Sequence, residues 1–218
     1  MSSSTLLTLV NRVLATTGDA SAVSTVSGSI GGIAERITEF LNLTIGAIEN
    51  RTNWAALRVN ASGTADGTTD VFDFSGTEDV RSGGAVSVWI ATKGIMQELT
   101  PEQFDTQVAL QLNEGNSLFF QRGAGTAGQL QVQLYPTPAN GDIINMSAYK
   151  KATRFDATVD TGTTELDDDV LVLGALMHLD SYDGLNRGYA ALFQDQLNAD
   201  VMANMSNRGT RVEVDGYQ

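Results

Sequence analysis

Hydrophobic residues in the first quarter of the chain recur at the spacing of α-helices. Between residues 4 and 17 they fall on one helical stripe, made of Leu6, Leu9, Val10, Val13 and Leu14. Gly18 then supplies a stop signal. A longer stripe recurs at three- and four-residue steps between Ser29 and Trp54, through Ile30, Ile33, Ile37, Leu41, Ile45 and Ile48. The spacing predicts two N-terminal helices.

From about residue 58 the pattern changes to short alternating runs separated by turns rich in Gly, Thr and Asp. The alternation is cleanest in Gln129–Leu134, where apolar residues alternate with glutamines and predict a strand. A Pro-Thr-Pro turn and a returning strand are predicted after it. The predicted strands are Arg58–Ala61, Thr69–Phe74, Ala85–Thr92, Ile95–Leu99, Leu118–Gln121, Gln129–Tyr135 and Asp142–Tyr149.

Two turn signals punctuate this β-rich stretch. Lys93–Gly94 fits a tight hairpin turn. The run Thr100-Pro101-Glu102-Gln103 predicts a short helix near residues 101–110, because Thr100 can cap it and Pro101 suits the first helical position. Gln103 can complete a capping box with Thr100.

The C-terminal third returns to helical spacing. Three aspartates, Asp167 to Asp169, predict a helix start, where carboxylates meet free amides and the positive end of the helix dipole. Its apolar stripe is Val170, Leu173, Met177 and Leu176, and Asp183–Gly184 ends it. A last helix is predicted from about Arg187 to Met205, with one face formed by Tyr189, Phe193, Leu197, Val201 and Met205.

These elements predict an α+β fold with a helical body and an inserted antiparallel β-rich middle. The predicted organisation is N-terminal helices over residues 1–57, the β-rich region over 58–150, and C-terminal helices over 151–205. Residues 206–218 lack a helical period and predict an extended C-terminal arm. At 218 residues the chain is long enough to bury a sizeable core.

Composition narrows the function classes. The 26 acidic and 13 basic residues give a net charge of −13, which disfavours a surface for grasping nucleic acid or an anionic membrane. The chain has no cysteine and a single histidine, His178, which excludes thiol chemistry and Cys- or His-cluster metal sites. The N-terminus has neither the basic start of a signal peptide nor a continuous apolar span, and indicates a soluble cytosolic product.

Several local patterns are compatible with a functional site, but a structural role is favoured for each of them. Gly123, Gly125 and Gly128 satisfy G-x-G-x-x-G, but a strand rather than a helix follows, so they predict a hairpin loop instead of a dinucleotide site. Region 156–183 holds eight acids and no Lys or Arg, which leaves a calcium site open, although EF-hand spacing is missing. Helix capping and solvated surface are favoured for it.

The remaining candidate residues carry no catalytic motif. Glu98 and Glu102 straddle a turn and are the pair that a glycan hydrolase would need. His178 lies in mid-helix without a serine or cysteine motif to serve, and a structural role is favoured. Trp54 and Trp89 follow apolar runs and suit core or interface anchors. No catalytic residue, cofactor or metal is predicted.

The order of three patterns resembles the head-to-tail adaptor (connector) proteins of short-tailed bacteriophages. The first is the short helix, glycine-containing link and long helix ending in a tryptophan. The second is LTPEQF, a Gly-rich turn and LQVQLYPTPANGDIINMSAY; the third is LDDDVLVLGALMHL followed by GYAALFQDQLNADVMANM. The resemblance covers nearly the whole chain.

The resemblance implies a structural virion protein, assembled in the host cytoplasm, that forms a ring of about twelve copies between portal and tail nozzle. The helices would form the ring body, the β region would point toward the tail, and viral DNA would pass without specific binding. No membrane partner is implied. In resembling adaptors the C-terminal segment reaches the portal, which implies portal contact through Arg208, Arg211, Val212, Val214 and Tyr217. That terminus and its alternating sequence also suit pairing with another chain's backbone.

Two alternatives belong to other classes. A small cell-wall glycan hydrolase of a phage would need a cleft with two carboxylates. A tail fibre or receptor-binding module would need long β-repeats, which this chain, with helices on both sides of its β-rich middle, does not show.

Overall fold

The computed structural model describes residues 4–18, 21–27, 32–77, 79–81, 86–111, 117–124 and 128–209. Contacts divide the chain into two compact units. The helical unit comprises Met1–Ala56 and Ala152–Gln218, and the β unit comprises Leu57–Lys151. The helices are α1 (Leu6–Thr17), α2 (Ile33–Glu49), α3 (Pro101–Ala109), α4 (Asp168–Asp183) and α5 (Tyr189–Gly209). Helices and sheets occur together, so the predicted α+β class is confirmed.

The first helix matches its predicted stripe residue for residue. All five of the predicted apolar positions of α1 are buried, and Gly18 ends the helix in the left-handed conformation. The Thr5 side chain caps its start by accepting a hydrogen bond from the Thr8 amide. The amides of Leu6 and Leu7 are satisfied by the carbonyls of Gly162 and Asp160, at 2.8 and 3.1 Å.

Helix α2 ends earlier than the predicted Asn53–Trp54. Its final carbonyl groups find other donors, which removes the reason for the helix to continue. The Trp54 indole Nε1 donates to the Ile48 carbonyl at 2.8 Å, and the Asn50 side-chain amide donates to the Gly46 carbonyl at 2.8 Å. A short 3-10 turn, Ala55–Leu57, follows.

Helix α4 lies at the centre of the helical unit, where α1, α2 and α5 all contact it. The predicted single stripe is therefore wrong. Leu173 and Met177 are only half-buried, whereas positions all around the helix are buried: Val170, Leu171, Val172, Gly174, Ala175, Leu176 and Leu179. A helix surrounded by partners is apolar on every side and carries no one-sided pattern.

The close approach of α2 and α4 depends on a glycine. A Cβ atom built on Gly174 would lie 2.2 Å from Thr44 Cγ2 and 2.6 Å from Thr44 Oγ1. The Thr44 hydroxyl donates to the Phe40 carbonyl at 2.8 Å, which holds the side chain in place. The two helices can pack at this distance only because residue 174 has no side chain.

The last helix differs from its prediction at both its face and its end. Phe193 and Leu197 are buried as predicted, but Met205 is 54% exposed and its neighbour Asn204 is buried instead. Helix α5 also continues to Gly209, so the extended arm predicted to begin at Ser206 is wrong for its first four residues. Residues 210–218 lie outside the described part of the chain.

The β unit contains two four-stranded sheets. Its strands are β1 (Arg58–Thr64), β2 (Val71–Asp73), β3 (Ser87–Ile90), β4 (Gly94–Ile95), β5 (Gln97–Glu98), β6 (Leu118–Ala124), β7 (Leu130–Tyr135) and β8 (Ile143–Tyr149). One sheet has the order β1-β8-β3-β4 and the other β2-β7-β6-β5. Their inner faces share one apolar core that includes Phe74, Val88, Phe119, Val132 and Met146.

Strands β7 and β8 do not form the hairpin that the Pro-Thr-Pro turn suggested. Strand β7 pairs with β2 and β6, and β8 pairs with β1 and β3. Both edges of each strand are therefore occupied by other partners, and the turn carries the chain from one sheet to the other. The alternation of β7 is as predicted, with Leu130, Val132 and Leu134 buried.

Connections within the β unit follow the local signals. The capping box of α3 is present, with Thr100 and Gln103 exchanging side-chain and backbone hydrogen bonds and Pro101 in the first turn. Strands β5 and β6 pair in parallel, and helix α3 links them. The helix supplies the crossover that a parallel pair requires. Strands β3 and β4 form the antiparallel hairpin predicted around Lys93–Gly94.

The Gly174–Thr44 contact predicts a large effect of a small substitution. Gly174→Ala should lower the free energy of unfolding by about 1–3 kcal/mol, because the new methyl overlaps Thr44 in a packed interface. Gly46→Ala is the matched control, since its Cβ would meet only Arg154 at an ordinary 3.5 Å. Chemical denaturation should show Gly46→Ala to be neutral or stabilising. Equal stability of the two variants would contradict this packing.

Candidate functional site

The acidic region 156–183 is built into the helical unit by specific hydrogen bonds. Asp160 accepts the amide of the buried Val26 at 2.8 Å. Glu165 accepts both the amide and the hydroxyl of Thr153 at 3.0 Å. These carboxylates connect loops to the body of the unit.

The aspartates at the start of α4 have three separate roles. Asp167 caps the helix by accepting the amides of Asp169 and Val170. Asp168 accepts the Ser4 amide with both oxygens, at 3.1 and 3.2 Å, and Asp169 forms an ion pair with Arg12 at 2.5 Å. Capping, the favoured explanation of these acids, is therefore present. Among the described residues, no three His, Cys, Asp or Glu side chains are grouped to hold a metal ion.

A cleft of about 740 Å³ opens beside these aspartates and is bordered by Arg12, Ala56, Thr153 and residues 163–169. The buried Thr164 hydroxyl in its wall has no hydrogen-bond partner in the described structure. A smaller, more apolar cavity of about 180 Å³ shares Ala56, Glu165, Leu166 and Asp167 with it and reaches Asp200. Both cavities lie within the helical unit.

Asp200, which borders the smaller cavity, has a disfavoured ionised form. Burial raises the pKa of Asp200 above its ordinary value, and the negative charge of Asp167 acts in the same direction. Asp169 adds a smaller effect of the same sign, while a hydrogen bond from Gln196 opposes them. Asp167 and Asp169, at the start of α4, therefore repel the ionised form of Asp200.

The single histidine has a packing role. His178 stacks on Phe40 with ring centroids 5.8 Å apart, and its burial lowers its pKa. Phe40 also contacts Tyr182, over whose ring the Arg36 guanidinium lies at 4.2 Å. This group joins α2 to α4 and brings no nucleophile to the histidine.

The two candidate hydrolase carboxylates have structural partners in the β unit. Glu98 accepts a hydrogen bond from the side-chain Nε2 of Gln121 at 2.6 Å. Glu102 lies in the first turn of α3, where a hydrogen bond with its own backbone amide and one with the Thr100 side chain lower its pKa. A general acid for glycoside cleavage needs the opposite, a raised pKa.

Two glycines of the motif, Gly123 and Gly128, lie on either side of the connection between β6 and β7. Gly123 belongs to β6, and Gly128 precedes β7 with a left-handed φ of 86°. The two strands pair antiparallel, and a strand follows the motif where a dinucleotide site requires a helix. Gly125 lies outside the described residues.

The predicted portal-contact residues are only partly described. The backbone of Arg208 lies in the last turn of α5. Arg211, Val212, Val214 and Tyr217 lie outside the described residues, so the structure neither brings this set together nor separates it.

Exposed apolar side chains mark surfaces that the sequence patterns did not indicate. On α5 the outward side chains of Leu192, Met202 and Met205 are 52, 69 and 54% exposed. In the β unit Ile95 and Ile143 are 84 and 52% exposed. Met202 and Met205 are three residues apart and are neighbours on the surface of α5, an arrangement that suits a protein–protein contact. Leu192 and Met202 fall off the predicted face of α5 and were the available signal, whereas Met205 belongs to that face and is nevertheless exposed.

The candidate residues described above have structural partners, and exposed apolar side chains lie on both units. The family model described as SU10 adaptor protein matches residues 4–215. The match spans nearly the whole chain, so the chain belongs to the SU10 adaptor protein family. No curated protein matches it significantly.

Membership of this family confirms the resemblance to phage head-to-tail adaptors. It supports a structural adaptor role in the virion and implies contact with phage portal and tail proteins. Within the described residues, no helix is long and apolar enough to cross a membrane.

Asp200 offers a test of the charge crowding at the start of α4. Asp200→Asn should stabilise the protein at pH 7, by less than about 1 kcal/mol because the site is partly solvated. A carboxyl with a raised folded pKa favours folding when protonated, and this contribution is lost as pH rises through that pKa. The advantage of the variant should therefore vanish near pH 3 in thermal denaturation. A gain that persists at low pH would point to another cause.

Proposed function

We propose that this protein assembles into a ring of about twelve copies that joins the portal to the tail and extends the DNA channel. The observation that carries this proposal is the family match over residues 4–215, which covers both units. A ring needs heterologous contacts, in which one face of a copy meets a different face of the next. The exposed apolar side chains of α5 are suited to one side of such a contact.

The charge of the chain suits a channel component. Twelve copies with a net charge of −13 would carry about −156. A wall of this sign repels phosphate groups and lets DNA slide without sticking, whereas tight binding would need clustered Lys and Arg. Specific binding of DNA is not part of the proposal.

Contacts with the tail and with the portal are assigned to different parts of the chain. The β unit, with exposed Ile95 and Ile143, would meet the tail nozzle or tail tube protein. The C-terminal segment would contact the portal through Arg208, Arg211, Val212, Val214 and Tyr217. Its alternating sequence, Arg-Val-Glu-Val-Asp, supports this role because it suits pairing with another chain.

Ring assembly predicts a defined mass. Native mass spectrometry of the adaptor with its purified portal should show about twelve adaptor copies on one portal ring, because a cyclic interface closes at a fixed number. The adaptor alone serves as the control and is expected to remain smaller. A complex with one to three bound copies would contradict the ring.

The C-terminal contact predicts that capture by the portal depends on two valines. The double substitution Val212→Asp and Val214→Asp should weaken portal binding at least about tenfold without lowering the melting temperature. The matched control places aspartates at Val108 and Val159, which are 39 and 45% exposed and lie outside this segment. Pull-down with portal should retain the control. Equal capture of both variants would move the portal contact elsewhere.

A further inference from the structure

Strand β1 has an edge that no other described strand occupies. It has seven residues and a single neighbour, β8, in the sheet order β1-β8-β3-β4. The other edge strands, β2, β4 and β5, have only three, two and two residues. Among the described strands β1 is therefore the one edge long enough to hold a strand from another chain.

The backbone groups on this edge follow from the register. Leu57 accepts the amide of Lys150, and Ala65 donates to Asp142, so odd-numbered residues bond to β8. In an antiparallel pair the intervening residues turn their N–H and C=O groups the other way. The groups of Arg58, Asn60, Ser62 and Thr64 therefore point to the open edge.

The two faces of β1 differ at this edge. Val59 and Ala61 are half-buried and pack at the margin of the apolar core, so a further strand would complete their burial. The side chains of Arg58, Asn60, Ser62 and Thr64 are exposed on the opposite face. The strand has no proline and pairs with β8 without a bulge, so it lacks two common devices that block edges.

We propose that β1 receives the C-terminal segment of a second copy, Arg211–Asp215, as an antiparallel strand. Opposing Val59 to Val214 and Ala61 to Val212 extends the apolar face, and the same register places Asp215 beside Arg58. The Arg58 guanidinium, which donates from Nε to Ser147 Oγ at 2.7 Å, lies on the face that Asp215 would share. The two sequences therefore complement each other in both apolar pattern and charge.

This inference rests on the proposed ring, in which one copy must contact the next through unlike surfaces. An arm that pairs with a neighbour's β1 is such a contact, and repetition around an axis closes it. Val212 and Val214 face β1 in this pairing, so they no longer contact the portal directly. The portal contact then falls to the outer backbone edge of the segment, Arg208 and Tyr217.

Fluorescence anisotropy with a labelled peptide of residues 209–218 tests this pairing in the absence of portal. The full-length protein carrying Val212→Asp and Val214→Asp supplies a β1 edge without a competing arm. The peptide should bind saturably. In the proposed register the amide of Glu213 faces β1, so N-methylation there should weaken binding roughly tenfold or more. N-methylation at Val214 is the matched control, because that amide faces away, and it should change little.

The charge pair gives a second measurement on folded protein. Arg58→Glu should weaken binding of the natural peptide, and a peptide with Asp215→Arg should restore it. Arg122→Glu, at an exposed base of β6 in the other sheet, should bind the natural peptide normally. Equal effects of both N-methyl peptides, or absence of the charge rescue, would overturn the proposed strand pairing.

The remaining outcomes distinguish pairing between two copies from the portal contact and from pairing within one copy. A peptide that binds portal but no adaptor variant would overturn the β1 site and leave the portal contact intact. If the wild-type chain excludes the peptide at every dilution while the Asp variant binds it, the arm pairs with its own β1, and the second copy is excluded. The adaptor count on the portal, measured by mass, tests the ring independently of all these results.

Discussion

The carboxylate of Glu49 holds the helical unit together at the point where the chain re-enters it. Its side chain is 9% exposed and accepts the Ala152 amide at 3.1 Å and the Arg154 guanidinium at 2.6 Å. Asn42, two turns earlier on α2, binds the backbone of Phe155 through both amide atoms. Residue 152 is where the chain returns after the 95-residue β unit, so α2 fastens the returning segment to the helical unit. A buried carboxylate in this role is stabilising only while both donors remain, because an unpaired buried charge is costly.

The departing chain is fastened in the same way. Asn204 on α5 is buried and accepts the Ala55 amide at 2.9 Å, while its own amide donates to the Asn53 carbonyl at 3.1 Å. The exit and the return of the chain are thus both held by buried polar side chains on helices. An insertion adds loop-closure entropy to the body that carries it. Anchoring both junctions with directed hydrogen bonds fixes where that loop begins and ends.

Local sequence patterns correctly predicted the features that depend only on neighbouring residues. The stripe and glycine stop of α1, the capping box of α3, the aspartate cap of α4 and the alternation of β7 each depend on residues within a few positions. The failures depend on distant residues. Whether β7 pairs with β8 depends on β1, β2, β3 and β6, and the burial of α4 on all sides depends on three other helices. No pattern near Glu49, Asn42 or Asn204 distinguishes a buried clamp from a surface polar residue. The exposed apolar positions of α5 were visible but were not separable from core positions without the packing.

In the described part of the chain, folding leaves two kinds of surface without an internal partner, and they call for different contacts. The outward apolar side chains of α5 gain from any close apolar cover, whereas the edge of β1 gains only from a strand in register. The net charge of −13 opposes both kinds of contact, because copies of the chain repel one another. That repulsion is screened beyond about 8 Å at physiological salt, while apolar burial and backbone pairing act at contact. In the proposed ring, repulsion would therefore slow the association of neighbouring copies, but the contacts would hold the copies together once they form. A portal that binds the copies side by side would overcome the repulsion. A strongly acidic chain with open contact surfaces can in this way stay dispersed until its template is present.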